Sequence, residues 1–291
     1  MNKITVWLLA SRPKTLLLSL SPVLLASALA WQAQGQLFWG PLLAAALGAG
    51  FIQIGTNLFN DVGDFLRGTD QPGRVGPARA TAEGWLTPQA VLAGAWLCFA
   101  LAFVCGIYLV WHGGWPIVAI GLASLLAGWS YTGGPRPIAY GPLGEVFVLV
   151  FFGLVAVGGS YYLQTLSLTP TALLAGLLLG LHSAAVISVN NYRDRDGDQQ
   201  SGRRTLAVLL SRKTMKLIYA GELLLPYCLL PFLPLADWQH ILLPLLALPL
   251  ARRLIQRFRH ETPGPEFNAI LAITAAHQFI FATLLSFACI V

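Results

Sequence analysis

Charged residues are scarce in this sequence, and their scarcity decides the class of protein. Asp, Glu, Lys and Arg make up only 10% of the chain, whereas 56% of it is apolar and the mean hydropathy is +0.67. In soluble globular domains roughly a quarter of the residues are charged, so a soluble fold is excluded. The apolar runs extend for about 20 residues, long enough to cross a bilayer as helices, and do not alternate as barrel strands do. The sequence therefore predicts an all-α polytopic membrane protein.

Cysteine is scarce as well. The four cysteines lie inside apolar runs, without the spacing of a metal site, and are interpreted as packing residues: Cys98, Cys105, Cys228 and Cys289. No disulfide framework is expected. The formal net charge of +6 does not indicate a nucleic-acid partner, because basic residues in membrane proteins mark the cytoplasmic side. The bilayer is the expected environment, and no obligate protein partner is evident.

Nine membrane spans in a single domain, residues 1–291, account for the apolar runs. The predicted spans lie at 14–33, 39–60, 89–111, 115–132, 144–164, 170–192, 215–235, 239–256 and 268–290. Pro244 and Pro249 interrupt the eighth, which membrane helices tolerate where neighbours satisfy the freed backbone groups. If the N-terminus is cytoplasmic, all eighteen Lys and Arg fall on the cytoplasmic side or within a turn or two of it. This bias predicts both the orientation and the span count.

Six of the twelve acidic residues occur in two short stretches. GTNLFNDVGDFLRGTD (55–70) closes the second span, and NNYRDRDGDQQSGRRTL (190–206) closes the sixth. Both stretches lie at cytoplasmic helix ends in the predicted topology. Because acidic clusters at the ends of membrane helices are costly, these two stretches are interpreted as a functional site.

The spacing of the polar residues predicts which of them share a helix face. In the first stretch the spacing is i, i+3, i+4, i+7, which places four side chains on one face if the helix continues so far: Asn57, Asn60, Asp61 and Asp64. In the second stretch the spacing is i, i+4, i+8, again one stripe: Asn190, Asp194 and Asp198. Asp196 is expected to point elsewhere, and Gly197 is a candidate break in the helix.

Clustered carboxylates repel one another, and cations between them are the best explanation of the pattern. Oxygen ligands without His or Cys suit hard ions such as Mg²⁺ or Ca²⁺, and Mg²⁺ usually shares its coordination sphere with substrate phosphates. Several arginines nearby are suited to clamp phosphate oxygens in bidentate fashion: Arg67, Arg193, Arg203 and Arg204. Together they predict a diphosphate substrate, whose remainder in a lipid-facing bundle is expected to be a hydrocarbon.

The two motifs, N-x-x-N-D-x-x-D and N-x-x-x-D-x-x-x-D, resemble those of the UbiA-type intramembrane aromatic prenyltransferases. Within that superfamily the chain is similar to the 1,4-dihydroxy-2-naphthoate polyprenyltransferases of menaquinone synthesis. Four segments carry this similarity: RPKTL (12–16), GTNLFNDVGDFLRGTD, YTGGPRPIAYGPLGE (131–145) and NNYRDRDGDQQSGRRTLAV. The sequence departs from the pattern at Arg203, where Lys is common, and at Val62, where an aromatic residue is frequent.

The resemblance implies about nine helices around a central cavity in a bacterial inner membrane, with the site open to the cytoplasm. It implies that four aspartates bind two Mg²⁺ ions bridged by a prenyl diphosphate: Asp61, Asp64, Asp194 and Asp198. Asn57, Asn60 and Asn190 would support this shell. The candidates for diphosphate binding are Arg67, Arg136, Arg193 and Arg203, with Arg12 and Lys14 as weaker ones.

The reaction implied is transfer of a polyprenyl group to 1,4-dihydroxy-2-naphthoate, with loss of CO₂ and diphosphate. Tyr131 or Tyr140 is expected to steady the allylic cation. One alternative keeps the donor but uses 4-hydroxybenzoate, homogentisate or a tetrapyrrole as acceptor. An ion-coupled secondary transporter is a remote alternative, since its ion sites are expected near the midplane. His182 and His277 are interpreted as packing residues, whereas Glu145 fits a helix cap and a site residue equally well.

Overall fold

The computed structural model describes residues 2–68, 75–76, 78–235 and 237–291, and the regular secondary structure in this part of the chain is helical. Thr69 and Asp70, at the end of the first acidic stretch, lie outside the described residues. The principal helices are α1 Lys3–Ser11, α2 Pro13–Gln34, α3 Trp39–Leu66, α4 Pro88–Gly113, α5 Trp115–Ser130, α6 Gly144–Thr165, α7 Pro170–Gln200, α8 Arg212–Phe232, α9 Leu248–His260 and α10 Glu266–Ile290. The predicted all-α membrane fold is confirmed.

Seven of these helices are long and apolar enough to cross a membrane, namely α2, α3, α4, α6, α7, α8 and α10, and α5 is a shorter apolar helix. The predicted eighth span differs, because its prolines divide it. A short turn of helix, Leu242–Leu245, contains Pro244, and α9 then begins with Pro249 in its first turn. Proline lacks the N–H that would continue a helix, so the count of nine spans is approximate.

Local sequence explains where several helices begin. Thr87 and Thr169 accept hydrogen bonds from the backbone N–H groups of Ala90 and Ala172, which caps α4 and α7. Proline in the first turn of α2, α4, α5 and α7 costs no hydrogen bond there. α7 runs without a break through Gly197 to Gln200, so the expected break at Gly197 is wrong.

Helices α2, α3, α5, α6, α7 and α10 pack in a ring around a central cavity, and α4 adds residues such as Gly106 and Val110 to its lining. α4 packs against α3 and α5, while α8 and α9 pack against α7 and α10 on the side away from the cavity. Four stacked or tilted aromatic rings hold that outer side together: Tyr192, Tyr219, Phe258 and Phe267. The ring brings the C-terminal ends of α3 and α7, which carry the two acidic stretches, to the same end of the cavity.

α6 and α7 approach so closely that their backbones touch. A Cβ atom on Gly153 would lie 2.6 Å from the Cα of Gly180 and even nearer to the carbonyl oxygen of Gly176. Gly153 belongs to a π-helical stretch, Val150–Val155, that interrupts α6 at this crossing. Such stretches are rare and frequently occur at functional sites, and this one forms part of the cavity wall.

The two intramembrane histidines lie among α7, α8 and α10 rather than in the cavity. His182 Nε2 lies 3.3 Å from the carbonyl oxygen of Leu223, and His277 Nε2 lies 2.8 Å from the hydroxyl of Tyr227. Both rings are fully buried and their centroids are 4.8 Å apart. Their interpretation as packing residues is confirmed.

Candidate active site

The central cavity has a volume of about 1140 Å³ and is polar at one end. Its walls are mostly apolar and include Phe147, Phe151 and Leu163. The polar end gathers side chains from both acidic stretches, namely Asn57, Asn60 and Asp64 from α3, Asn190, Asp194 and Asp198 from α7, and Arg203 just beyond α7. The two stretches, more than a hundred residues apart in sequence, therefore form one site.

Asp64 is the most heavily engaged carboxylate of this site. Its Oδ1 accepts hydrogen bonds from the Tyr140 hydroxyl at 2.6 Å and from Arg203 Nη2 at 2.8 Å. Its Oδ2 forms an ion pair with Arg79. The residue is only 3% exposed, so these positive partners are what makes a carboxylate tolerable there.

Arg203 links the two acidic stretches. Besides Asp64 it contacts Asp198, with Nη1 3.3 Å from Oδ1, and its guanidinium lies 4.2 Å above the centre of the Tyr140 ring. Burial alone would lower the pKa of Arg203, but the carboxylates of Asp64 and Asp198 outweigh it and raise the pKa above its ordinary value. A fixed positive charge therefore sits between the two motifs.

Of the two tyrosines considered for the allylic cation, Tyr131 is the better placed. The face of Tyr140 is already covered by Arg203, and Arg67 lies 5.6 Å from its centre. Tyr131 lines the cavity, with its ring centroid 6.0 Å from that of Phe147.

In the second stretch, Arg193 holds Asp194 in a bidentate pair. Nε lies 2.8 Å from Oδ1 and Nη2 lies 2.7 Å from Oδ2. The same guanidinium donates to the side-chain oxygens of Asn190 at 2.8 Å and Asn268 at 2.7 Å. Arg193 thus fixes Asn190 and Asp194 together at the wall of the cavity.

The two asparagines of the first stretch connect α3 to neighbouring segments of the chain. Asn57 Nδ2 donates to the Ser11 carbonyl at 3.0 Å and to the Thr15 hydroxyl at 2.9 Å, which ties α3 to the start of α2. The Asn60 side chain accepts a hydrogen bond from the Thr132 hydroxyl. Both residues also line the cavity.

The structure places Asp61 differently from the other predicted metal ligands. Its carboxylate accepts hydrogen bonds from the N–H groups of Ala80 at 2.8 Å and Thr81 at 3.0 Å, and from the Thr81 hydroxyl. It is buried but does not line the cavity. The expected common face of four side chains is therefore only partly met, because the loop after α3 offers Asp61 three donors.

Two of the predicted diphosphate-binding arginines are not brought to the cavity either. Arg67 follows the last residue of α3 and donates to the carbonyls of Thr132 at 2.5 Å and Gly134 at 3.0 Å. Arg136 is exposed, held between two prolines in a turn that points it outward. Neither side chain lines the cavity, and their binding of the diphosphate stays a prediction.

Comparison with known proteins decides the family. The profile of the UbiA prenyltransferase family matches residues 19–271. The chain belongs to the UbiA prenyltransferase family. The resemblance drawn from the two motifs is thus confirmed. The matched range contains α3 to α9 in full and parts of α2 and α10.

Two curated relatives are similar over most of this UbiA-family chain. The 1,4-dihydroxy-2-naphthoate octaprenyltransferase of Mycobacterium tuberculosis is 34% identical over 277 residues, 95% of this chain and 94% of the relative. The 1,4-dihydroxy-2-naphthoate octaprenyltransferase of Escherichia coli is 37% identical over 227 residues, 75% of this chain and 73% of the relative. A solved UbiA homologue from Archaeoglobus fulgidus, bound to GPP and Mg²⁺, shares the fold with a TM-score of 0.73 and 15% identity, covering 98% of this chain and 99% of that one.

Sequence reasoning missed Arg79. This arginine lines the cavity of the UbiA-family site, whereas Arg67 and Arg136 do not. Arg79 lines the cavity, is only 7% exposed, and donates through Nη1 to the Asn60 carbonyl at 2.9 Å in addition to its pair with Asp64. It lies in a loop, where no helical spacing relates it to the motif. Its charge near an acidic stretch was the one available signal.

Two further positions settle smaller expectations. Asp196 pairs with Arg212 at 2.9 Å and its side chain is exposed, which agrees with the helical spacing, although the residue also borders the cavity. Val62, the departure from the UbiA-type pattern, is buried in a cluster with Leu58 and Val91 between α3 and α4 and does not line the cavity. The cavity wall is therefore not changed by this substitution.

The donor atoms at the polar end of the cavity fit a hard cation. Asp64, Asp194 and Asp198, with the amide oxygens of Asn60 and Asn190, offer oxygen atoms alone, as Mg²⁺ prefers. In the described part of the chain no three acidic, His or Cys side chains already share one binding position. Arg79, Arg193 and Arg203 balance these carboxylates here.

Proposed function

We propose that this chain transfers a polyprenyl group from polyprenyl diphosphate to 1,4-dihydroxy-2-naphthoate, releasing diphosphate and CO₂ and yielding demethylmenaquinol. The observation that carries the proposal is the 34% identity, over 95% of the chain, to a curated enzyme named for this acceptor. The site agrees with it in chemistry: carboxylates and arginines meet at one end of an apolar cavity that is large enough for a hydrocarbon chain.

The polar end would hold the diphosphate and its metal. Asp64, Asp194 and Asp198 would bind Mg²⁺, as two ions, with Asn60 and Asn190 beside them. Bound Mg²⁺ supplies a Lewis acid that neutralises charge on the departing diphosphate. Asp61 remains a proposed fourth ligand on its spacing alone, and its contacts support a role in holding the loop that carries Arg79. Arg79, Arg193 and Arg203 would bind the diphosphate oxygens.

The reaction balances with these groups in place. The C–O bond of the prenyl diphosphate breaks, and its electron pair leaves on the diphosphate, where Arg79 and Arg203 stabilise the growing charge. The acceptor ring attacks the allylic cation through the carbon that bears its carboxylate. The bond to that carboxylate then breaks, CO₂ leaves, and the electron pair restores the aromatic ring. The apolar walls exclude the water that would otherwise capture the cation.

The membrane orientation belongs to the same proposal. The protein is a multi-pass membrane protein, and the distribution of its basic residues supports a cytoplasmic N-terminus and a site open to the cytoplasm of a bacterial cell. Reporter fusions after Arg204 and after Asp237 are expected to report opposite sides of the membrane. Reporters on one and the same side would contradict the topology.

The proposal is tested with purified protein in lipid nanodiscs, supplied with Mg²⁺ and octaprenyl diphosphate. 1,4-Dihydroxy-2-naphthoate labelled in its carboxyl group, 4-hydroxybenzoate and homogentisate are offered in parallel. We expect prenylated naphthoquinol and labelled CO₂ in equal amounts, and their loss when EDTA removes the metal. Turnover with 4-hydroxybenzoate alone would overturn the acceptor, and turnover with none of the acids would overturn the enzymatic proposal.

Tyr131 provides a prediction of its own. If its ring face steadies the allylic cation, Tyr131→Phe keeps the face and is expected to retain kcat within about threefold. Tyr131→Leu removes the face and is expected to lower kcat by about 10-fold, the size of a desolvated cation–π contact. Single-turnover rates at saturating substrates measure both. Equal losses of kcat in the two variants would show that the Tyr131 hydroxyl, and not its ring face, is responsible.

A further inference from the structure

Glu145 is a buried acid that the proposed reaction leaves without a task. It lies in the first turn of α6 and is 4% exposed. Its Oε1 accepts a hydrogen bond from Asn191 Nδ2 at 2.9 Å, whereas its Oε2 has no hydrogen-bond partner in the described part of the chain. A buried acid with one unsatisfied oxygen is costly to keep, so an explanation is required beyond packing.

Glu145 reaches the cavity through Asn191. Asn191 lines the cavity and follows Asn190 directly on α7, three residues before Asp194. The Asn191 amide donates a hydrogen bond to Glu145 Oε1, and this bond fixes the amide in one orientation. The pair thus presents a single fixed amide beside the polar end of the cavity.

Part of the wall of this cavity is aromatic. Phe147 lies two residues after Glu145 on α6 and contacts Phe151, with ring centroids 4.6 Å apart, and Tyr131, with centroids 6.0 Å apart. All three rings line the cavity, as Asn191 does. Aromatic faces of this kind accept a flat ring by offset or edge contacts. An aromatic wall and one oriented amide in the same cavity suit a planar aromatic ring that carries hydroxyl groups.

We infer that Asn191 hydrogen-bonds a hydroxyl or carboxyl group of the aromatic acceptor, and that Glu145 is a positioning residue that fixes the Asn191 amide. The acceptor ring lies against Phe147 and Phe151. An amide both donates and accepts, so it serves a hydroxyl in either sense. This inference rests on the proposed function, because it assigns the acceptor part of the same cavity to residues other than the proposed diphosphate ligands Arg79 and Arg203.

The test compares the two substrates in one enzyme. Asn191→Ala and Glu145→Leu are expected to raise KM for 1,4-dihydroxy-2-naphthoate by about 10- to 100-fold, the effect of losing one buried hydrogen bond. KM for octaprenyl diphosphate is expected to stay within about twofold. The double variant is expected to be no worse than the poorer single one, because both changes remove the same contact. Glu145→Gln keeps a carbonyl oxygen at this position and is expected to restore near wild-type KM.

Binding without turnover separates the inference from the proposed function. The probe is 1-hydroxy-2-naphthoate, titrated by its fluorescence into protein saturated with Mg²⁺ and diphosphate. We expect the two single variants to weaken its binding as they raise KM, and Glu145→Gln to leave it unchanged. Unchanged naphthoate binding in Asn191→Ala, or equal rises in both KM values, would overturn the inference.

The remaining outcomes are decided as well. If the wild-type enzyme prenylates another aromatic acid instead, the proposed acceptor is wrong, and the same variants are compared with that acid. If Glu145→Leu does not fold, the test relies on Asn191→Ala and Asn191→Leu. Full affinity for 1-hydroxy-2-naphthoate in both of these variants refutes the inference.

Discussion

Replacing Asp64 with asparagine is expected to lower kcat by about a thousand-fold. Its carboxylate contacts Tyr140, Arg203 and Arg79 and lines the cavity, and in the proposed site it would bind the metal and hold two diphosphate-binding arginines in place. Steady-state turnover with 1,4-dihydroxy-2-naphthoate at saturating Mg²⁺ measures the loss. Asp194→Ala is expected to behave in the same way.

A loss of activity through unfolding has to be distinguished from this result. Asp64→Asn removes the carboxylate that forms the buried ion pair with Arg79, and breaking such a pair costs about 3–5 kcal/mol. The double variant Asp64→Asn/Arg79→Met removes both charges and is expected to regain thermal stability without regaining turnover. Asp237→Asn is the control, because Asp237 is exposed and does not line the cavity. Wild-type turnover in Asp64→Asn would remove Asp64 from the metal site.

The second large effect concerns stability. Gly153→Ala is expected to destabilise the protein by about 1–3 kcal/mol, and Gly153→Val by more, because the added Cβ meets the backbone of Gly180 at 2.6 Å and that backbone has no room to move. The loss of stability is measured as a shift in the midpoint of thermal unfolding. Size-exclusion chromatography in detergent detects the folded protein that remains after heating. Gly221→Ala on α8 is the control.

At Gly221 a Cβ atom meets nothing within 4 Å. Alanine there is expected to leave the midpoint unchanged or to raise it, since alanine favours a helix by about 1 kcal/mol over glycine. A Gly153→Ala protein as stable as wild type would mean that α6 and α7 can separate without cost, contrary to their observed contact.

Much of the site was accessible from the sequence because helices repeat their geometry. The spacing of Asn57, Asn60 and Asp64 placed them on one face, and α3 continues to Leu66, as that prediction required. The same periodicity separated Asp196 from Asp194 and Asp198. Hydrophobic runs located seven full-length spans because burial in lipid requires continuous apolar length.

The parts that sequence did not predict depend on loops and on competition between partners. Arg79 reaches Asp64 from an irregular segment whose path no periodicity describes. Asp61 sits on the predicted helix, yet the N–H groups of Ala80 and Thr81 hold its carboxylate. Arg67 lay close to the motif in sequence, but carbonyl oxygens at the end of the Tyr131–Gly134 turn hold its side chain. Proximity in sequence does not reveal which partner prevails.

Gly197 shows the opposite error. Glycine lowers helix stability by roughly 1 kcal/mol, and that small penalty suggested a break before Asp198. Tertiary contacts outweigh it: α7 is held by α6, α8 and α10 along its length and ends only after Gln200. The residue that allows the chain to leave the helix is Gly202, whose φ of +75° suits glycine.

Arg203, placed between Asp64 and Asp198, has a consequence for how the bundle is assembled. Asp64 belongs to the first half of the polypeptide and precedes Arg203 by 139 positions (203 minus 64). Within that first half it already has Arg79 and the Tyr140 hydroxyl as partners. Its contact with Arg203 forms only when the segment after α7 lies at the end of α3. One guanidinium therefore joins the two halves of the chain, and its contacts with both carboxylates depend on correct assembly of the bundle before any substrate is bound.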